Sequence, residues 1–247
     1  MKREWIPQYS GWLERECHIM VHGHAGVPLV AFPCQDGMCD NWESFQMHET
    51  LSDYINSGTI QLFSVDTVDQ ESWSDKNGDK GWRAWMQERY FHYIAEEALP
   101  LIRQINGQNA LPITTGFSLG ATHAAILFYR RPDLFSGMLA CSGCYDATRF
   151  WDGWCNDTLY NNSPVHFSPI SQTITFILIC IIIDVLPSAA VRGHGKMKLC
   201  ELDISSRISL IAKISILGSI SGVMTSTTTG HGGENKSVIL CLGYLRG

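Results

Sequence analysis

The sequence predicts an α/β fold, a mostly parallel central sheet with helices on both faces. Three observations carry that expectation. Short apolar runs recur at residues 27–32, 60–65, 111–115 and 137–142. Longer segments with apolar residues three or four apart lie between them, and Gly, Pro, Asn and Asp punctuate the joins. Strands alternating with helices need crossover connections, which place the strands parallel and cover the sheet on both sides.

Each element has its own justification. Residues 17–21 alternate in part and residues 27–32 form an apolar run, and with GHAG between them they read as a hairpin and an antiparallel start. IQLFSV at 60–65 is a strand, followed by a loop rich in Asp, Ser, Trp and Gly to residue 81. Trp82, Trp85, Met86, Tyr90, Ile94, Ala98, Leu101 and Ile105 fall mostly three or four apart, on one face of a helix interrupted near Pro100. Residues 111–115 then read as a strand, GFSLG as a turn, 121–130 as a helix stopped by Pro132, and 137–142 as a strand.

A chain of 247 residues, 45% hydrophobic, suffices for one sizeable core. The formal charge of −6 offers no basic face for phosphates, so a small molecule is the expected partner and nucleic acid is not. The N-terminus, MKREWIPQYSGWLERE, has no apolar core of a secretory signal, and the expected location is the cytoplasm. The nine cysteines are expected to be reduced thiols. Cys141 and Cys144 in CSGC have the spacing of redox and zinc sites, but a single such pair reads more readily as small buried fillers. His22 and His24 read as part of a turn rather than as metal ligands. No metal or other cofactor is expected.

The chemistry concentrates in GFSLG, residues 116–120. A serine hydroxyl is a weak nucleophile until a base takes its proton, and it must project where a carbonyl carbon can reach it. A G-x-S-x-G turn between a strand and a helix presents the serine in that way, and the N–H of the following residue, Leu119, faces the developing oxyanion. LPITT before the turn and ATHAAILFYRR after it supply the required strand and helix. The alternative is that Ser118 merely caps the helix. His123, further along the same helix, is badly placed as a base for Ser118 and reads as a packing residue.

Three stretches go further. GHAGVPLVAFPCQDG with DNWESFQM, then GFSLGATHAAILFYRRPDLF, then SGCYDATRFWDGWCNDTLYNNSPV together resemble the putative-esterase (esterase D-like) family of α/β hydrolases. The resemblance spans about the first two thirds of the chain. It implies an α/β-hydrolase sandwich and cleavage of a small-molecule acyl ester by a serine, histidine and acid triad, without a cofactor. Ser118 is then the nucleophile, Leu119 N–H one oxyanion donor, and an N–H from residues 32–37 the other. Phe32, Gln35, Trp151 and Trp154 are the candidate substrate-binding residues. The tryptophans could wall an acyl or aromatic pocket, although aromatics at loop ends more often serve packing.

Triad order requires the acid and the histidine downstream of Ser118. There the composition changes: all eight tryptophans precede residue 155, and the remainder turns to Ile, Ser and Thr. ITFILICIIIDVL at 174–186 is too short for a membrane span and contains Asp184. Residues 226–236, STTTGHGGENK, translated one base out of step, permit NHDWPWWRKQ. Residues 190–198, AVRGHGKMK, permit GQGAWEDE in the same way. Both strings look like the missing downstream motifs of that family. The expectation is therefore a hydrolase core over residues 1–168 and an aberrant, frame-shifted segment over 169–247. As written, His231 as base and Asp203 as acid are the candidates left, and nothing in their neighbourhoods directs them at Ser118. A non-catalytic hydrolase-like remnant is the alternative function, and oligomeric state is left open.

Overall fold

The computed structural model describes residues 1–167 and the strand at 239–242. Strands β1 (Arg3–Ser10), β2 (Arg15–His22), β3 (Val27–Phe32), β4 (Ile60–Val65), β5 (Ile113–Phe117), β6 (Gly137–Cys141) and β7 (Ile239–Leu242) form one sheet. Its order is β1-β2-β4-β3-β5-β6-β7. β1, β2 and β4 pair antiparallel, whereas β3 is parallel to both β4 and β5, and β5, β6 and β7 continue parallel. The mostly parallel sheet predicted from the alternation of elements is thus present.

The antiparallel start differs from the one the sequence suggests. Residues 17–21 and 27–32 do not form a hairpin: β2 pairs with β1 and β4, and β3 lies beyond β4. The connection passes over the start of β4. Val27 N–H donates to Thr59 O at 3.0 Å, and a Cβ on Gly26, whose φ is +105°, would lie 2.4 Å from the Thr59 carbonyl carbon. Only glycine allows that crossing. β1 escaped notice because Pro7 and the charges around it obscure its alternation, yet seven of its residues alternate between exposed and half-buried.

Helices cover both faces. Short helices α1 (Asn41–Ser44), α2 (Met47–Thr50) and α3 (Ser52–Asn56) bury Trp42, Met47 and Ile55, which with Leu51 pack against Leu29, Ala31, Leu62 and Phe117. On the opposite face, α4 (Lys80–His92), a π-helical segment (Tyr93–Ala98), α5 (Leu99–Asn106) and α6 (Leu119–Arg130) pack on Val30, Phe32, Phe63 and Val65. β3 thereby divides its residues between two cores, as strand geometry requires. The helical run continues through Pro100 because the π segment just before it changes the hydrogen-bonding register where the proline has no N–H. Of the apolar face predicted for this run, Met86, Tyr90, Ile94 and Ala98 are buried, but Trp82 and Trp85 are about half exposed and lie off it. Beyond β6 come α7 (Asp157–Asn161) and α8 (Pro164–Phe167).

Candidate active site

Ser118 is the single residue between β5 and α6. Its φ of 54° and ψ of −124° are strained for any residue with a side chain. It is solvent-exposed, and its side chain makes no capping hydrogen bond to the helix it precedes, which argues against a mere cap. Its N–H donates to the Cys141 carbonyl at 3.0 Å, tying the turn to the end of β6. The flanking glycines are a spatial necessity. A Cβ on Gly116 would lie 2.2 Å from the Gly120 carbonyl group, and one on Gly120 would lie 2.4 Å from the carbonyl oxygens of both Phe32 and Pro33. The turn is thereby pressed against the loop that leaves β3.

That loop is held at four of its main-chain N–H groups and at several of its carbonyls. Cys34 N–H donates to Asn41 Oδ1 at 3.0 Å, Asp36 N–H to Asp69 Oδ2 at 3.1 Å, Gly37 N–H to Cys34 O at 2.9 Å, and Cys39 N–H to Asp66 Oδ1 at 2.9 Å. Trp42 Nε1 donates to Phe32 O, and Thr67 Oγ1 to Gly37 O, both at 2.9 Å. Pro33 has no N–H. Between residues 33 and 37, Gln35 N–H is therefore the main-chain donor with no acceptor among the described residues, while its side chain donates to Ser74 Oγ at 2.7 Å. Leu119, the first residue of α6, likewise has an N–H without an acceptor in its own helix.

Behind Ser118 sits His123, fully buried, with Nε2 2.9 Å from Oδ1 of the equally buried Asp69. Its ring lies among Trp73, Tyr90 and Phe32 at centroid distances of 5.8, 5.1 and 6.2 Å. Burial first, and then the nearby Asp69 charge, hold the Tyr90 phenol far above its ordinary pKa, so it remains neutral. Burial also raises the Cys34 thiol, again with help from Asp69.

The other candidate residues separate clearly. Leu119 buries its side chain and offers only its N–H. Gln35 is exposed beside the turn. Phe32 is the last residue of β3, and its completely buried ring packs on the helical core. Trp151 is 0% exposed, its Nε1 donates to Lys80 O at 3.0 Å, and its ring meets Trp73 edge-on, an arrangement that matches the packing role the sequence also offers. Trp154 is half-buried and packs against that core. His231 and Asp203 lie outside the described residues. Cys141 is buried at the end of β6, and Cys144 exchanges hydrogen bonds with Thr122 Oγ1 through its main chain. Buried His22 stacks on His48, while His24 is exposed, and the described residues include no group of three suitable metal ligands. Asp66 and Asp69 carried no motif that could have announced them, whereas Asp36 and Asn41 lie in the quoted stretches GHAGVPLVAFPCQDG and DNWESFQM without having been singled out.

A mostly parallel sheet with helices on both faces, and a strained exposed serine between strand and helix pressed on a neighbouring loop, define the α/β-hydrolase class. The family described as Putative esterase matches residues 10–173, and the chain belongs to it. Membership supports ester hydrolysis as its class of chemistry. An S-formylglutathione hydrolase of Staphylococcus aureus is similar in structure, with a TM-score of 0.50 and 12% identity over 71% of this chain and 72% of that one. The S-formylglutathione hydrolase of Agrobacterium tumefaciens has a TM-score of 0.52 and 14% identity, covering 66% and 69%. MPT51 of Mycobacterium tuberculosis has a TM-score of 0.55 and 12% identity, covering 99% and 91%. At such identities these likenesses speak for the fold. No curated protein sequence matches the chain. Among the described residues, no helix is long and apolar enough to cross a membrane.

Proposed function

We propose that this is a serine esterase chain acting on small acyl esters, with Ser118 as nucleophile, in which a one-base shift after about residue 168 has removed the triad histidine and acid. In the intact reaction Ser118 Oγ bonds to the ester carbonyl carbon, its proton passes to a base, and the carbonyl oxygen becomes an oxyanion. Collapse breaks the bond to the alcohol, which leaves with that proton. Water then hydrolyses the acyl-enzyme by the same steps. Leu119 N–H and Gln35 N–H are the donors assigned to the oxyanion.

The observation that carries this reading is the exposed, strained Ser118 with Gly120 against the carbonyls of Phe32 and Pro33. The out-of-frame strings NHDWPWWRKQ and GQGAWEDE support the loss of the downstream partners. A second reading, a non-catalytic hydrolase-like protein, draws on that same loss. Without its base the chain keeps only the residual rate that an oxyanion hole and binding provide.

A fluorophosphonate probe separates the two. In the chain with one reading frame restored after residue 168, labelling that vanishes in Ser118→Ala supports the esterase reading; folded, frame-restored protein that stays unlabelled supports the non-catalytic one. The nucleotide sequence tests the shift: if restoring one frame near residue 168 does not yield both strings, that part of the proposal is wrong.

A further inference from the structure

A carboxylate buried away from water is unfavourable unless its oxygens accept hydrogen bonds. Asp69 is 1% exposed, and it follows β4 in a 3₁₀ turn, Asp69–Glu71. Its two oxygens are divided between two elements. Oδ1 meets His123 Nε2 at 2.9 Å, and Oδ2 accepts the Asp36 N–H at 3.1 Å. With a carboxylate as its partner, Nε2 carries the ring proton. His123 belongs to α6, the helix that Ser118 begins, and Asp36 to the loop that carries Gln35. One buried side chain thus links the nucleophile's helix to the residue after Gln35. Asn41 holds the residue before it, through Cys34 N–H.

We infer that the buried His123–Asp69 pair is a positioning device that aims the Gln35 N–H at the oxyanion. The inference rests on the reading of Ser118 as nucleophile and of residues 33–37 as the oxyanion loop. Neither His123 nor Asp69 touches the substrate, as both are enclosed. Their effect passes through the Asp36 peptide, and it fixes the Gln35 N–H relative to α6 before any ester arrives. A donor fixed in advance stabilises the transition state without reorganisation, which is where an oxyanion hole gains its effect.

The test uses the full chain and two measurements. In His123→Leu, the Asp36 amide should exchange with deuterium about tenfold faster, from the loss of one buried hydrogen bond's support. The maximal rate of fluorophosphonate inactivation should fall about 10- to 100-fold with the inhibitor constant little changed, because misaiming a donor affects the chemical step. His123→Gln, whose amide can donate near the position of Nε2, should recover most of both. Asp69→Asn, close in shape, should repeat the defect and serves if the leucine variant fails to fold.

Unchanged exchange at Asp36 in the variants would overturn the inference. So would faster exchange with an unaltered inactivation rate, or a glutamine variant no better than leucine. If neither the chain as it stands nor the chain with its reading frame restored after residue 168 is labelled, the nucleophile reading fails, and the exchange measurement alone decides whether the pair holds the loop.

Discussion

The N–H of Ser118 is held by the carbonyl of Cys141, one strand away, rather than by its own helix. That bond helps keep a side-chain-bearing residue at φ 54°, ψ −124°, a conformation that costs on the order of 1–3 kcal/mol. Ser118→Gly should relieve the strain and outweigh the extra flexibility of the unfolded chain, for a net gain of about 1 kcal/mol. Ser118→Ala keeps the Cβ and should leave stability nearly unchanged. Urea denaturation of the three proteins checks this: a glycine variant no more stable than the alanine variant removes the argument for strain.

The glycines on either side should respond differently from one elsewhere. At Gly116 and Gly120 a new Cβ meets backbone at 2.2 and 2.4 Å, and backbone cannot step aside as a side chain can. Alanine at either position should cost about 3 kcal/mol, as overpacking does. Gly107, which ends α5 at φ +69° with nothing within 4 Å of the added Cβ, should lose only about 1 kcal/mol. Thermal denaturation of the three alanine variants should rank them in that order.

Acid should weaken the contact between α4 and α6. Burial raises the Glu88 pKa, but Arg130, donating at 2.8 and 2.6 Å, and Asn162, donating at 2.6 Å, outweigh it and leave it below the ordinary carboxylate value. The native state therefore binds fewer protons at Glu88 than the unfolded chain does. Its contribution is complete above the unfolded pKa and is lost as pH falls through the lower folded one. Arg130→Met should flatten the dependence of unfolding free energy on pH between about pH 3 and 5. Equal slopes in both proteins would show that Glu88 is not the group responsible.

Arg83 offers a sharper stability test. The guanidinium is fully buried, donates to the carbonyls of Ser72, Trp73 and Phe150 at 2.7, 3.2 and 2.9 Å, and lies 4.5 Å over the Trp151 ring. Burial lowers its pKa. Arg83→Ala strands three buried carbonyls and should cost about 3 kcal/mol. Lysine, a point charge on a single stem, cannot reproduce the fork and should recover less than half of that loss. Full recovery by lysine in a denaturation series would refute the role given to the fork.

How far the sequence foretold the molecule depends on the distance over which each feature is written. GFSLG is five consecutive residues, and its strand, its helix and its close-packed glycines follow from local chemistry. β3 through β6 were legible for the same reason, as continuous apolar runs. The partners of β2 were not, because pairing belongs to the whole sheet, and two well-read strands were joined as a false hairpin. FWDGW leaves both pocket wall and packing open for Trp151, and the residues that pack on it, Arg83 and Trp73, are far away in the chain. Asp69 joins residues 33 and 54 positions away, and no local pattern marks either contact.

Those same long separations bear on the order of folding. Asp36, Asp69, His123 and Cys141 come together only after β3, β4, β5 and β6 have found their neighbours, and each closure has an entropy cost that local structure does not share. The bend at Ser118 should accordingly be among the last features to form, with φ-values near zero for substitutions at Gly116 and Gly120. A growing or half-assembled chain then carries an ordinary, relaxed serine, and its nucleophile takes shape only when the sheet is finished.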